Sequence, residues 1–346
     1  MSGKDSKDNV ADLRQDHARA NESSPRRIPH AYLRKPLAIG AVAIVGASLL
    51  AGYPWLFGTP LMLQIAISVL IYVPLVVGQN IITGNSGQLS MGHAAFYAVG
   101  AYCTGILVTR LDGFPALAAV ALAIVGAGLL GLLIGFPALR VSGDYLFILT
   151  IGLNLIVVSV ATQWEAVTGG ARGLTRIPLF SVGGYEFRTP EDFYYVVLIA
   201  AVLCVGVAAA VLSSRFGRLL EAARDDRAAA EACGVSITGM RLSAFVIGSS
   251  MAGLSGAMFA YNLGFVGPQS FTLQQSLLIF EMVIIGGLAS IRGSILGAII
   301  LVALPEALRF LQDYRLGLGG VIILILMVWR PNGLLGKGVV APLVKS

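Results

Sequence analysis

Charge is scarce in this sequence. Asp, Glu, Lys and Arg make up 12% of its 346 residues, hydrophobic residues make up 56%, and the mean hydropathy is +0.82. A soluble fold of this length must cover itself with Lys and Glu, so the composition excludes one and indicates an integral membrane protein. Histidine is almost missing, with three residues scattered at positions 17, 30 and 93. The three cysteines, Cys103, Cys204 and Cys233, lie in or beside apolar segments without Cys-x-x-Cys spacing or a neighbouring His. Neither a metal site nor a disulfide framework is indicated, and the cysteines read as small apolar filler. A phosphate-binding Gly-x-x-x-x-Gly-Lys-[Ser/Thr] is also absent, since "NGLLGKG" at 332–338 lacks both the spacing and the hydroxyl that holds magnesium. With no nucleophile-base pair and no ligand cluster, catalytic residues are not expected, and any ATP used must be hydrolysed elsewhere. The early apolar core of a signal peptide is missing too. Residues 1–36 are polar and charged, and read as a disordered tail that stays on the side where it was made.

What the chain does have is apolar runs, at 37–57, 61–82, 93–111, 115–136, 145–165, 193–213, 241–262, 273–290, 293–312 and 316–330. A span needs about 20 apolar residues to cross about 30 Å of hydrocarbon, and lipid tolerates no unpaired backbone, so the reading is all-α with about ten transmembrane helices. With the N-terminus inside, 18 of the 24 Lys and Arg fall on the cytoplasmic side. That asymmetry places both termini in the cytoplasm and accounts for the net charge of +6 without a nucleic-acid surface. Small residues recur at helical spacing, as in Gly131 with Gly135, Ser249 with Gly253 and Ala257, and Gly293 with Gly297. Such stripes let helix backbones approach closely, and packing inside one bundle is favoured over a subunit interface.

Between two of these runs lies "NIITGNSGQLSMGHAAF", residues 80–96, the most polar and least helix-friendly stretch at the edge of lipid. Irregular backbone at membrane depth is tolerated where it is buried in protein or lines water. Asn80, Asn85, Ser86, Gln88, Ser90 and His93 are therefore candidate residues of a translocation pathway. A re-entrant turn that only seals helix packing is the competing reading. "GQLSMGH" at 87–93 and "GLASIRG" at 287–293 resemble each other weakly, which raises the question of an internal repeat. Glu281, in mid-span, either lines the pathway or bonds between helices, because an acid there is costly. Glu306, after Pro305, reads as stabilising a kink. Trp164 and Glu165 read as an interfacial anchor. The outward loop 166–192 carries Arg172, Arg176 and Arg188 among turn glycines, and without further information is a solvated linker.

The long hydrophilic segment "SSRFGRLLEAARDDRAAAEACGVSITGMR", residues 213–241, falls on the cytoplasmic side. Its helix formers predict one helix over Leu219–Cys233, with Gly217 interrupting the preceding helix and Gly234 at a left-handed C-cap. Alanines at 222, 223, 228, 229, 230 and 232 give it a thin profile that another protein's groove could accept. The plain alternative is a solvated connector.

Four separated stretches carry a resemblance: "SGQLSMGHAAFYAVGAY" at 86–102, "GDYLFILTIG" at 143–152, "TGGARGLTRIP" at 168–178, and "SRFGRLLEAARDDRAAAEACGVSITGMRLSAFVIGSSMAGLSGAMFA" at 214–260. In this order they resemble the M-type permease subunit of branched-chain amino-acid ABC importers, over about residues 37–335. Urea-importer permeases belong to the same wider group. The resemblance implies a permease domain over 37–335, between the tail at 1–36 and a cytoplasmic C-terminal tail at 336–346, in a bacterial inner membrane. It implies that Glu221, Ala222, Ala223, Arg224, Glu231, Ala232 and Gly234 form the coupling helix that docks on an ATP-binding subunit, with either Glu221 or Glu231 as the docking acid. The implied partners are a second, H-type permease, two cytoplasmic ATP-binding subunits that hold ATP and magnesium, and an external solute-binding protein contacted by Arg172 and Arg176. No cofactor is expected on this chain itself. A self-sufficient channel or ion-coupled carrier, titrating Glu281 or His93, is the rival from another class.

Overall fold

The computed structural model describes residues 59–111, 113–138, 144–307 and 333–336. The apolar runs at 37–57 and 316–330, the tail at 1–36, residues 337–346, Arg309, Arg315 and the side chain of Glu306 lie outside the described residues. The described part is helical: α1 Pro60–Asn80, α2 His93–Arg110, α3 Ala116–Ala138, α4 Asp144–Gln163, the single turn α5 Glu165–Thr168, α6 Pro190–Ser213, α7 Arg215–Asp225, α8 Arg227–Ala232, α9 Ile237–Leu263, α10 Leu273–Gly286 and α11 Ile291–Ala307. Strands β1 Ser181–Val182 and β2 Tyr185–Glu186 form a small antiparallel hairpin turned by Gly183 and Gly184. The outward loop is thus not a plain linker. It also pairs with the chain after α9 through Leu174 and Val266, whose amides and carbonyls bond mutually at 2.8 and 2.9 Å.

Among the described residues, five helices are long and apolar enough to cross a membrane: Pro60–Asn85, Ala116–Pro137, Tyr145–Gln163, Pro190–Ser213 and Ile237–Leu263. Helices also occupy the runs at 93–111, 273–290 and 293–312, but α10 stops at Gly286 and α11 starts at Ile291, so the run of 273–290 is cut short by a turn. The starts that differ from the apolar runs have local causes. Thr189 caps α6 by accepting from the Asp192 amide at 3.2 Å with Pro190 in the first turn, so the helix begins before its apolar residues do. Ser236 caps α9 in the same way through the Gly239 amide at 3.2 Å. α4 breaks at Trp164, and the chain turns through Gly169, which has φ +76°.

Helix α9 is the hub, packed against α1, α2 and α3. The small-residue stripes make this possible: a Cβ built on Gly253 would stand 2.6 Å from both the Ala123 carbonyl oxygen and the Ala127 Cβ of α3. The same stripe meets α2, where Ala101 is fully buried and Gly100 faces Gly253. The stripes therefore pack inside this chain. Outer helices invert the soluble pattern. Ala119, Ala123 and Ala127 of α3 are buried, whereas Leu129, Leu133 and Phe136 are exposed, as a helix facing lipid requires.

Candidate functional site

The stretch 80–96 is the end of one helix, an irregular segment and the start of another. α1 is buried almost all round from Leu70 onward and continues into a π-helical turn, Ile81–Asn85. Turns of this kind widen the helix by one residue and leave its last carbonyls without helical partners. The Ser86 amide bonds the Ile81 carbonyl at 3.0 Å and the Gln88 amide bonds the Ile82 carbonyl at 3.1 Å, after which the backbone leaves the helix.

Every polar candidate in this stretch is buried. Asn80, Asn85, Ser86, Gln88, Ser90 and His93 are between 0 and 4% exposed. Asn80 makes the farthest-reaching contacts. Its Nδ2 donates to the Ser290 carbonyl at 3.1 Å and to Ser294 Oγ at 2.6 Å, while its Oδ1 accepts from the Ala289 amide at 2.9 Å. Ala289 and Ser290 lie in the turn between α10 and α11 and Ser294 in the first turn of α11, within or next to the second polar motif at 287–293. Asn80 thus joins the start of the polar stretch 80–96 to the second motif. Ala289 holds φ +58°, a conformation costly for a residue with a Cβ, and its amide is the one that Asn80 receives. Gly84 fits beneath: a Cβ there would fall on Asn80 Oδ1 and the Ala289 amide. Residues 333–336 close the other side, with the Leu334 and Leu335 amides bonding the Ile285 and Gly286 carbonyls at 3.0 Å each.

Gln79 Nε2 donates to the Ser90 carbonyl at 2.7 Å and to Thr83 Oγ1 at 3.0 Å, folding the irregular segment back along α1. Gln88 Nε2 donates to Ser86 Oγ at 2.6 Å and to the Arg241 carbonyl at 3.2 Å, tying it to the start of α9. His93 opens α2 with its ring edge-on to Phe96 at 5.8 Å, and Phe96 meets Phe245 of α9 in the same fashion at 6.5 Å. A second polar chain crosses the bundle below. Thr150 Oγ1 accepts from the Met91 amide at 2.9 Å, Ser276 Oγ accepts from the Ala94 amide at 3.1 Å, and Asn154 reaches the Phe271 carbonyl at 3.3 Å. Ser290, Ser294, Ala289, Thr150, Asn154 and Ser276 are not singled out by sequence reasoning. The spacing of Thr150 and Asn154, one helical turn apart inside an apolar run, is the signal that was there to find. Glu281 lies half-buried on α10.

The loop at 213–241 differs from the single helix predicted there. α6 ends at Ser213, and Ser214 caps α7 through the Phe216 amide at 3.1 Å, so the interruption is at Ser214 and Gly217 lies inside α7. Gly217 is needed for closeness, because a Cβ on it would overlap the Leu212 carbonyl. A second break falls at Asp226, extended at φ −146°, whose side chain caps α8 by accepting from the Ala229 amide at 3.0 Å. Gly234 has φ +80°, the left-handed position expected at the end.

α7 is amphipathic, with Gly217 and Leu220 buried and Leu220 packed into the bundle core, while Ala223 is buried in a small cluster with Ala230 and Ile237. Its polar inner residues meet the π-turn. Glu221 Oε1 accepts from Asn85 Nδ2 at 3.3 Å, and Arg224 Nη1 donates to the Gly84 carbonyl at 2.8 Å with its side chain only 15% exposed. The outer surface of α7 and α8 is different: Leu219, Ala222, Ala228, Ala229, Ala232 and Cys233 are exposed. Glu231 is also exposed and pairs with Arg227 at 3.0 Å, one helical turn apart.

On the opposite end, Arg172 and Arg176 are exposed, the first in a short 3-10 turn at Gly170–Arg172 and the second at φ +61°. Arg110 at the end of α2 holds this loop by donating to the Ala166 carbonyl and, at 2.9 Å, to the Val167 carbonyl. An apolar cavity of about 710 Å³ lies between α3, α6 and α9, lined by Val120, Ile124, Phe180, Cys204, Met251 and Met258 among others. No group of three or more His, Cys, Asp or Glu side chains that could hold a metal ion occurs among the described residues.

Comparison with known proteins gives a consistent result. Residues 61–329 match the family described as branched-chain amino acid transport system / permease component. The chain is 35% identical over 295 residues to the high-affinity branched-chain amino acid transport system permease protein LivM of Salmonella typhimurium, covering 79% of this chain and 69% of that protein. Identity to LivM of Escherichia coli K12 is 36% over the same shares. The LivH permease of Salmonella typhimurium is more distant, 22% identical over 289 residues, covering 77% of this chain and 91% of LivH. No solved structure matches.

Proposed function

This chain belongs to the family of permease components of branched-chain amino acid transport systems, and from that membership we propose that it is the M-type transmembrane subunit of an ATP-driven importer for leucine, isoleucine and valine. It pairs with an H-type permease in the bacterial inner membrane. ATP and magnesium are held by two cytoplasmic ATP-binding subunits, and substrate is delivered by an external binding protein. The chain crosses the membrane about ten times with both termini in the cytoplasm, as the distribution of its Lys and Arg favours.

The observation that carries this reading is the pair of helices α7 and α8. A segment between two spans that is solvated on one face, apolar on part of that face and bonded to the bundle on the other suits a docking lever better than a connector. Among the residues proposed for coupling, Ala222, Glu231, Ala232 and Gly234 are exposed and supply the docking surface. Glu221, Ala223 and Arg224 lie on the inner side. Nucleotide binding moves the two permeases' levers together, and that rigid-body motion switches access to the pathway.

The pathway runs beside the polar break, and the burial of Asn80, Asn85, Ser86, Gln88, Ser90 and His93 is what a shut wall gives. Glu281 stands on α10, the helix that leads into the turn that Asn80 holds. Arg172 and Arg176, exposed on the outward loop, meet acidic groups on the rim of the binding protein. Reconstitution in liposomes tests the reading. Leucine uptake should require ATP, the binding protein and all partner subunits. Flux through this chain alone would replace the importer with a self-sufficient carrier.

A further inference from the structure

Resting on the importer reading, we infer that Arg224 and Glu221 are transmission residues, which carry the motion of the docking lever into the bundle, and are not part of the surface that grips the ATP-binding subunit.

The argument begins at the end of α1. A helix running from Pro60 through Asn85 collects its backbone dipoles into partial negative charge at the C-terminal end, and past Ile82, whose carbonyl takes the Gln88 amide, the chain leaves the helix and the regular ladder of amides stops. A guanidinium is suited to that position, since it is always charged and presents several donors in a fixed fork. Arg224 supplies it from 140 residues away, with Nη1 2.8 Å from the Gly84 carbonyl. The stem of Arg224 passes over Gly87, where a Cβ would stand 2.7 Å from Arg224 Cγ, and Gly87 at φ +70° leaves that space open. On its other side Arg224 pairs with the exposed Asp225, Nε and Nη2 lying 2.8 and 2.7 Å from Oδ1. Glu221, one turn earlier on α7, adds the bond to Asn85.

The lever therefore caps a helix of 26 residues that runs buried into the bundle. The cap is placed on a π-turn, a rare local geometry that is frequent at functional sites. Four residues up the same helix from Gly84, Asn80 grips the α10–α11 turn and the start of α11 through three hydrogen bonds. A displacement of α7 of one or two ångströms breaks a 2.8 Å bond to Gly84, and Gly84 is packed directly against Asn80 Oδ1 and the Ala289 amide. The two polar breaks thus form one connected element with the lever at its edge. Docking residues would face the solvent; Arg224 and Glu221 face the bundle.

The test uses the assembled transporter in liposomes and reads two quantities: capture of ATP-binding subunits by the tagged permease, and leucine transported per ATP hydrolysed. Arg224→Gln removes the charge and shortens the reach. Asn85→Asp sets a second carboxylate against Glu221, and adding Glu221→Gln restores a donor-acceptor pair. Arg224→Gln and Asn85→Asp are expected to keep capture at the wild-type level while transport per ATP falls about tenfold, as a coupling of about 1.4 kcal/mol implies. The Asn85→Asp/Glu221→Gln double variant is expected to recover most of that loss. Should Arg224→Gln fail to fold, the swap at 85 and 221 decides alone. Lost capture in Arg224→Gln, an unchanged transport ratio, or no recovery in the double variant would overturn the inference while leaving the importer reading standing. Absence of capture by the wild-type permease would instead overturn the importer reading itself.

Discussion

Replacing Asn80 with alanine should be among the most damaging single truncations of a polar residue in this chain. The substitution removes the donor to the Ser290 carbonyl and Ser294 Oγ and the acceptor for the Ala289 amide. The Ser290 carbonyl retains the Ser294 amide at 2.9 Å and Ser294 Oγ at 3.2 Å, so its loss is partial. The Ala289 amide retains nothing comparable, and Ala289 is 2% exposed in a left-handed conformation. A buried donor left unmade costs about 1–3 kcal/mol in soluble proteins. Polar contacts between membrane helices average nearer to about 0.6 kcal/mol. Taking the amide near the first figure and the two lost donations near the second gives about 2–4 kcal/mol. At about 2 °C per kcal/mol, the low end of the range for soluble domains of up to about 250 residues, the melting temperature of the purified complex should fall by about 4–8 °C. Gln163→Ala is the control, since its bond to Ser159 Oγ at 2.8 Å is exposed and lies within a single helix turn. Fluorescence-detected size exclusion after heating reads both variants side by side. If Asn80→Ala melts with wild type and the control, the clasp between the polar breaks contributes nothing and the connected element argued above does not exist.

Two further outcomes follow from the packing and the lever. Gly253→Val should prevent accumulation of folded protein in the membrane, because its side chain must occupy space held by the Ala123 carbonyl and Ala127, whereas Val202→Ala on the exposed face of α6 should leave the level unchanged; immunoblotting of membranes checks both. Glu231→Arg should abolish capture of the ATP-binding subunits without altering membrane insertion, since the pair with Arg227 that it breaks is exposed and is worth only about 0.3–0.5 kcal/mol to the fold; retained capture would remove the docking role of α8.

The spans were legible because apolar runs of membrane length have few alternatives in lipid. Helix α3 covers 116–138 where the run is 115–136, and α4 covers 144–163 where the run is 145–165. Breaks inside helices were less legible. Asp226 sits among Arg224, Asp225 and Arg227, and its charge reads as one more solvated helix surface until its carboxylate is seen capping Ala229. The α10–α11 turn is hidden for another reason: Ala289 is a good helix former by propensity, yet it is left-handed here and its amide bonds Asn80, 209 residues away. The polar break itself was conspicuous, yet its composition fits a pathway lining and a sealed packing joint equally well. What composition could not give is the set of partners that its side chains reach, the Ser290 and Arg241 carbonyls and Ser294 Oγ among them. The inward direction of Glu221 and Arg224 was equally hidden, because a charged residue on a short helix is solvated unless a carbonyl such as that of Gly84 is waiting for it.

The central claim is that α7 and α8 lie on the cytoplasmic side with their outer surface covered by an ATP-binding subunit. Cys233, exposed at the end of α8, reports on it directly, since Cys204 is buried and Cys103 half-buried within helices. A membrane-impermeant maleimide should label Cys233 in inside-out vesicles stripped of the ATP-binding subunits, should fail to do so once those subunits are restored, and should leave right-side-out vesicles unlabelled. Labelling from the outside, or labelling that the restored subunits do not block, would contradict the account.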